Sequence, residues 1–325
     1  MTSWTKIMLA VGAVASGAVI ATTPPDLAYS PQTNTNPDLA ALLHEPYDNL
    51  IPGTEKQLTW FDGELATEWS VVALHGFSAS RQETAPLAAS VAKSLGANLF
   101  ETRFAAHGLE SNGLVDVTAE EWLDDVADAL TVGQLIGQKV VVIAVSNGAA
   151  LALSMLDHPT MQAVDSLIML APNLGPADPK GMWITHPGGP FLLRLVRGDT
   201  RSWEAHNELQ EHYWTTTYPT RTLIEVIRVV DRARSKIETV IAPRVQVLYS
   251  PNDQVISIPD LLSGYASIQS PQKAIIEIEQ TGSPSAHIIA GDIISPDNTA
   301  GIADDISAFI LRRVLSDDPE LAPHH

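Results

Sequence analysis

The sequence contains no cysteine and few basic residues. The lack of cysteine excludes disulfides, thiolate metal sites and a lipidated cysteine anchor. Lysine and arginine total 19 against 38 aspartates and glutamates, which gives the 325-residue chain a formal net charge of −19. An acidic surface of this kind repels phosphate backbones, so we expect no nucleic-acid partner. With 45% apolar and 18% charged residues, the composition is that of a globular protein.

The apolar run near the N-terminus is short for a bilayer span. It covers residues 7–21, whereas a transmembrane helix needs roughly 20 apolar residues. Lys6 precedes the run, and Val19 and Ala21 form a small-residue cleavage pattern before Thr22. Residues 1–21 therefore predict a signal peptide or membrane anchor, and an exported protein that is periplasmic, secreted or membrane-anchored. We expect membrane contact only through this segment, and only if it is uncleaved.

The remaining chain divides into an arm, a large domain and a short tail. Residues 22–56 hold several Pro, Asn and Thr and little periodicity, which predicts a linker or N-terminal arm. Strand and helix patterns then alternate over 57–315, and 316–325 form a tail. The predicted strands are Ser70–Leu74, Ala97–Phe104, Val140–Val145, Ser166–Leu170, Val245–Tyr249 and Ala274–Ile278; the predicted helices are Thr84–Leu95, Glu120–Leu135, Asn147–Leu156 and Ile302–Val314. This alternation predicts an α/β fold with a mostly parallel central sheet flanked by helices.

One long insertion interrupts the alternation. About 70 residues with helical character and many aromatics separate the strand ending at Leu170 from the strand beginning at Val245. An insertion after the carboxyl end of a strand lies where ligands bind in open α/β sheets. We therefore predict an inserted helical cap over the site at about 175–240, although an ordinary helical subdomain would have the same pattern.

The stretch Ala144-Val-Ser-Asn-Gly148 joins a β-branched strand to a run of good helix formers. A serine at such a strand-to-helix corner has an exposed hydroxyl, and the helix N-terminus and the next backbone N–H, that of Asn147, favour developing negative charge. Small residues are needed two positions to either side, because the helix passes close to the strand. Ala144 and Gly148 meet that need, so Ser146 is a candidate nucleophile. The alternative role for Ser146 is that of a simple helix N-cap.

Two further segments make the sequence resemble the α/β-hydrolase superfamily, in its branch of carboxylesterases and monoacylglycerol-lipase-like serine hydrolases. Residues 74–80, LHGFSAS, match the family's His-Gly-x loop, and residues 103–111, RFAAHGLES, are similar to its Arg-x-x-Gly-His-Gly-x-Ser segment. The resemblance covers roughly residues 57–315. It implies the family's fold, a catalytic triad and ester chemistry, with the Phe77 backbone N–H in the oxyanion hole beside that of Asn147. Ala106 and Ala144 stand where the family's pattern has Gly.

A catalytic serine needs a base, and the base needs a carboxylate to orient it. In this fold the chain order is Ser, then Asp or Glu, then His. Asp253 follows a predicted strand in a Pro-Asn-Asp turn that resembles the family's acid loop, and His287 follows the next strand. The remaining histidines precede or flank the wrong elements, lie in the cap or belong to the tail, which leaves His287 as the base.

Several of these residues have other possible roles. Asp253 could be a simple turn former, and Asp260 and Asp292 are reserve acids. His75 and His107 are expected to hold their loops by hydrogen bonding rather than to do chemistry, although His107 could also line the pocket. The two His and two Glu of residues 206–212 do not have metal-ligand spacing, so no metal is expected there.

These residues predict an esterase that transfers the acyl group of a small-molecule ester to water through Ser146, without a cofactor or metal. A thioesterase, amidase or peptidase would use the same triad, and a non-catalytic ligand-binding homologue would keep the same fold. The oligomeric state is left open. Seven cap residues are expected to favour apolar substrates by lying near the active site: Trp183, Phe191, Leu192, Leu193, Trp203, Trp214 and Tyr218.

Overall fold

The computed structural model describes residues 24, 26–29 and 37–317. The predicted signal peptide or anchor at 1–21 and the end of the predicted tail lie outside the described residues. No helix in the described ranges combines the length and the apolar character that a bilayer crossing requires.

A seven-stranded sheet forms the centre of the protein, in the order β1-β3-β2-β4-β5-β8-β9. Its strands are β1 Gln57–Thr59, β2 Thr67–Leu74, β3 Asn98–Glu101, β4 Gly137–Val145, β5 Val164–Leu170, β8 Arg244–Tyr249 and β9 Lys273–Glu277. All neighbours run parallel except β1, which pairs antiparallel with β3. The carboxyl ends of the parallel strands therefore meet at one edge of the sheet.

Nine α-helices occur in the described chain. They are α1 Leu39–Leu42, α2 Leu87–Leu95, α3 Ala119–Ile136, α4 Asn147–Ser154, α5 Gly189–Arg197, α6 Glu208–Tyr213, α7 Thr222–Ile237, α8 Ile258–Ser267 and α9 Pro296–Asp317. Helix α3 begins where a capping box satisfies its first amides: Thr118 accepts from the Glu121 N–H, and the Glu121 carboxylate accepts from the Thr118 N–H.

Helices cover both faces of the sheet, which explains why the central strands are apolar on both sides. In β4, Val141 and Ile143 face a core shared with α2 and α9, whereas Val140 and Val142 face the larger core beneath α3, α4 and α7. Side chains alternate across a strand, so a strand buried on both faces is a nearly continuous apolar run. This is the pattern of residues 140–145.

Some element boundaries differ from the sequence-based predictions. Strand β3 ends at Glu101 rather than Phe104, because the Phe104 N–H leaves the ladder and donates to His75 Nε2. Helix α2 begins at Leu87 rather than Thr84, since a short 3₁₀ helix, Arg81–Glu83, and Pro86 precede it. Strand β1 and helix α8 were not predicted.

The inserted region is not wholly helical. Between β5 and β8 it contains a 3₁₀ helix at Pro179–Thr185, helices α5 to α7, and a two-stranded antiparallel hairpin of β6, Thr200–Ser202, and β7, Thr217–Pro219. Helix α7 packs on α4, where Ser154 Oγ donates to the Val229 carbonyl at 3.1 Å. Three-residue strands give too short a pattern to be recognised in a sequence.

The described part of the N-terminal arm packs against the sheet domain. Arg103 is buried and its guanidinium donates to the Glu45 carboxylate at 2.5 and 2.9 Å, with the Tyr47 ring 4.7 Å away. The Tyr47 hydroxyl accepts the Ala106 N–H at 3.1 Å. The arm thus supplies the partner of a buried cation and supports the loop that follows β3.

Ala106 adopts a backbone conformation that favours glycine. Its φ of 60° lies in the left-handed region, which costs a residue with a Cβ about 1–2 kcal/mol. We predict that Ala106→Gly raises the free energy of unfolding by up to about 1 kcal/mol, because relief of this strain outweighs the added freedom of the unfolded chain. Urea denaturation measures the change. Ala105→Gly, the same change one residue earlier, is the control and should lower the free energy of unfolding. A lower free energy of unfolding in both variants would show that Ala106 is not strained.

Candidate active site

Ser146 lies at a sharp corner between β4 and α4. Its φ of 49° and ψ of −112° are outside the helical and extended regions, and its N–H donates to the Leu170 carbonyl at 2.9 Å. The corner brings α4 against the end of β2: a Cβ on Gly148 would lie 2.4 Å from the His75 carbonyl oxygen and 2.6 Å from that of Leu74. Gly148 is therefore required by close approach, whereas Ala144 fits as a buried strand residue.

The structure brings Ser146, His287 and Asp253 into one hydrogen-bonded chain. Ser146 Oγ lies 2.9 Å from His287 Nε2, and His287 Nδ1 lies 2.6 Å from Asp253 Oδ2. All three residues are at least nine-tenths buried. With Nδ1 donating its proton to the carboxylate, Nε2 is free to accept the serine proton. This is the arrangement of nucleophile, base and orienting acid in serine hydrolases.

Two loops at the carboxyl edge hold Asp253 and His287 in register. Asp253 follows β8, and its Oδ1 accepts the N–H groups of Val255 at 2.7 Å and Ile256 at 3.1 Å. The next residue, Gln254, donates its N–H to the Ser285 carbonyl at 2.9 Å, which ties this loop to the one carrying His287. These contacts fix the rotamer of Asp253, so the turn does more than reverse the chain.

The backbone amides of Phe77 and Asn147 are available as hydrogen-bond donors. Within the described residues neither amide donates to a protein acceptor. Asn147 is the first residue of α4, where helical N–H groups have no intrahelical partner. Phe77 lies in the loop after β2, whose carbonyls contact the start of α4. Two free amides on adjacent segments suit an oxyanion.

Two buried histidines hold the Phe77 loop and remain neutral. His75 Nε2 accepts the Phe104 N–H, so its Nδ1 donates to the Gly76 carbonyl. His107 Nε2 accepts the Ser78 N–H, and its Nδ1 donates to the Ala105 carbonyl. Burial lowers the pKa of His75 to about 4 and the pKa of His107 well below its usual range. Both side chains therefore have structural roles.

Glu83 is a buried carboxyl beside the site that sequence reasoning missed. Its Oε2 accepts the Gly76 N–H at 2.6 Å. A Cβ on Gly291, four residues beyond the base, would lie 2.3 Å from the Glu83 carbonyl oxygen. Burial raises the pKa of this carboxyl to about 7, while the Gly76 hydrogen bond and nearby His287 lower it. The sequence does distinguish Glu83 in one way, because it is the sole acidic residue between Glu68 and Glu101.

The reserve acids do not approach the base. Asp260 lies in the first turn of α8 and pairs with Arg234 at 3.7 Å, and Asp292 is exposed. No cluster of three or more His, Asp or Glu residues suited to a metal ion occurs in the described ranges.

The cap residues expected near the active site differ in their burial. Trp183, Phe191 and Leu192 are largely exposed. Tyr218 is buried with its ring centroid 5.0 Å from that of Phe77, and Trp214 packs in a cluster with Ile288, the neighbour of His287. Sequence spacing cannot tell which aromatics face inward, because that depends on how the insertion folds back.

Comparison with solved structures identifies the fold. One structure, from work on the metagenome-derived lipolytic enzymes LipS and LipT, matches with a TM-score of 0.65 at 18% identity, over 81% of this chain and 99% of that one. A soluble variant of the Saccharomyces cerevisiae monoglyceride lipase, in complex with a substrate analog, gives 0.60 at 12% identity, over 89% and 99%. The Paleococcus ferrophilus monoacylglycerol lipase gives 0.58 at 13% identity, over 79% and 98%.

These likenesses and the mostly parallel sheet confirm the predicted α/β-hydrolase fold. No family model matches the sequence, and no curated protein matches it by sequence. The identities to the solved structures are low, so the chain's activity must be argued from its own site.

The raised pKa of Glu83 makes stability depend on pH. An unfolded glutamate has an ordinary pKa of 4.5, whereas the folded carboxyl holds its proton to about pH 7. Its contribution to stability is therefore present below about pH 4.5 and lost as pH rises toward 7. Gln cannot ionise, so Glu83→Gln should gain stability relative to the wild type between about pH 5 and pH 8, on the order of 2 kcal/mol.

Urea denaturation of both proteins at each pH measures this difference. Exposed Glu68→Gln is the control and should show the same pH dependence as the wild type. An unchanged stability difference for Glu83→Gln across the range would mean that the buried carboxyl does not titrate there.

Proposed function

We propose that the protein is a serine hydrolase that cleaves carboxylic esters through an acyl-enzyme on Ser146. The observation that carries the proposal is the continuous relay from Ser146 Oγ to His287 and Asp253, at 2.9 and 2.6 Å, on a strained strand-to-helix corner. A helix cap would not need this relay, and the φ of Ser146 is unfavourable for any residue with a side chain.

The geometry supports a two-step acyl transfer. His287 Nε2 takes the proton of Ser146 as its oxygen attacks the ester carbonyl, and the amides of Phe77 and Asn147 receive the oxyanion. The imidazolium, held by Asp253, then protonates the leaving alcohol. In the second step His287 activates a water, which releases the acid and restores the serine. Every proton moves between groups already in hydrogen-bond contact or reached by substrate.

The surroundings of the triad favour an apolar acyl or alcohol group. Phe77, Tyr218 and Ile288 lie beside the oxyanion donors and the base, and the buried histidines beneath them are neutral. The acidic chain disfavours anionic substrates. The structurally similar proteins include lipolytic enzymes and a monoglyceride lipase, which supports esters that bury carbon.

Substitution of the triad tests the proposal directly. We expect Ser146→Ala or His287→Ala to lower kcat for a nitrophenyl ester by on the order of 10⁶, and Asp253→Ala by on the order of 10⁴, because these residues act as a unit. Asp260→Ala, which removes a reserve acid that pairs with Arg234, is the matched control. Steady-state kinetics on folded variants give the answer. If Ser146→Ala retained a tenth of the activity, another residue would be the nucleophile.

A series of nitrophenyl esters tests the substrate class. Each methylene that reaches an apolar wall should raise kcat/KM roughly fourfold, or by about 0.8 kcal/mol, until the available space is filled. We therefore expect butyrate and hexanoate to be preferred over acetate. Matched thioesters and anilides in the same series separate an esterase from a thioesterase or amidase. A flat profile, or one that falls steadily from acetate, would contradict an apolar site.

A further inference from the structure

Helix α5 presents its apolar side to the surface instead of to the core. Phe191, Leu192, Leu195 and Val196 are 66%, 55%, 71% and 68% exposed, and Gly189 is the helix's buried residue. At 3.6 residues per turn these four side chains lie on one face of the helix. Trp183, at 67% exposure on the preceding 3₁₀ helix, adds to the exposed apolar surface. We call these five residues the cap face.

A contiguous exposed apolar face marks a binding surface. The charged residues around that face indicate the kind of partner. Residues 176–201 hold four basic residues, Lys180, Arg194, Arg197 and Arg201, and two acidic ones, in a chain with 19 basic and 38 acidic residues overall. Arg194 and Arg197 are exposed on α5 itself, where Arg194 also pairs with Asp199. Apolar side chains on one face of a helix that also carries arginine are typical of helices lying in the headgroup region of a bilayer.

The N-terminal part of the described chain lies close to the start of α5. Pro24, Asp26 and Leu27 line a cavity of about 520 Å³ together with Thr185, the last residue of the 3₁₀ helix, and His186 and Pro187, which follow it before α5. The Leu27 carbonyl accepts from Arg232 at 3.1 Å, which fixes this end of the chain. Pro24, three residues after the apolar run at 7–21 ends in the sequence, therefore lies beside the segment that leads into α5.

We propose that the cap face is a membrane-docking surface, which inserts its apolar side chains among the phosphate headgroups of a lipid bilayer. An N-terminal segment anchored in the same bilayer would bring the cap face to it, and a cleaved chain would still carry the cap face. This gives the protein a second membrane contact beyond its N-terminal segment. The proposal concerns binding and does not depend on the reaction at Ser146.

A second copy of the chain is a poorer occupant. A nine-residue helix is about 14 Å long, and five side chains fall well short of the roughly 800 Å² per partner that stable protein interfaces bury. A bilayer sets no such minimum, since each inserted side chain adds its own burial free energy and arginine adds attraction to anionic lipid.

The absence of cysteine in the chain permits a local test in the full-length protein. Leu195→Cys places a single thiol on the cap face for an environment-sensitive nitrobenzoxadiazole dye. Leu65→Cys is the matched control, because Leu65 is 73% exposed just before β2, at the opposite edge of the sheet. Each labelled protein is mixed with vesicles of phosphatidylcholine, with and without the anionic lipid phosphatidylglycerol.

We expect vesicles to raise the dye emission at position 195 several-fold and to shift it to shorter wavelength, with a larger response when anionic lipid is present. The dye at position 65 should be unaffected. No response at 195, or an equal response at both positions, would overturn the proposal. A response at 195 that follows protein concentration in the absence of vesicles would also overturn it, since that result assigns the cap face to a second copy.

Discussion

The corner at Ser146 is the constraint on which the site depends. The chain must leave β4 and enter α4 through a backbone conformation with positive φ, and the helix must then pass within contact of the β2 carbonyls. Only a glycine at position 148 permits that approach. The strain of the corner is held by the sheet on one side and by α3 and α7 on the other. The corner places the Ser146 hydroxyl and the Asn147 amide at the N-terminal end of α4.

Parallel strands explain how distant residues meet at this corner. The loops after β2, β4, β8 and β9 all leave the carboxyl edge of the sheet, and they carry Phe77, Ser146, Asp253 and His287 respectively. Three buried ionisable groups near them stay uncharged: His75 and His107 are neutral, and Glu83 holds a proton up to about pH 7.

The sequence was sufficient for the six parallel strands of the sheet and for the residues of the relay, because both depend on local patterns. A strand buried on both faces is a continuous apolar run, and a serine between that strand and a helix has few alternatives. The sequence was insufficient wherever tertiary contacts decide which segments pair and which side chains are buried. Three features differ from what local polarity or spacing indicates. They are the burial of Glu83, the three-residue strands of the insertion and the exposure of the apolar face of α5. The turn of α5 is the clearest case, since its apolar spacing is the same whether it faces a core or a membrane.

The central claim is that the relay makes Ser146 a nucleophile, and covalent labelling measures this most directly. A fluorophosphonate probe reacts with an activated serine and phosphonylates its oxygen. The account predicts one adduct per chain, located by peptide mass spectrometry on Ser146, absent in Ser146→Ala and strongly slowed in His287→Ala. An unlabelled wild-type protein, or an adduct on another residue, would contradict the account.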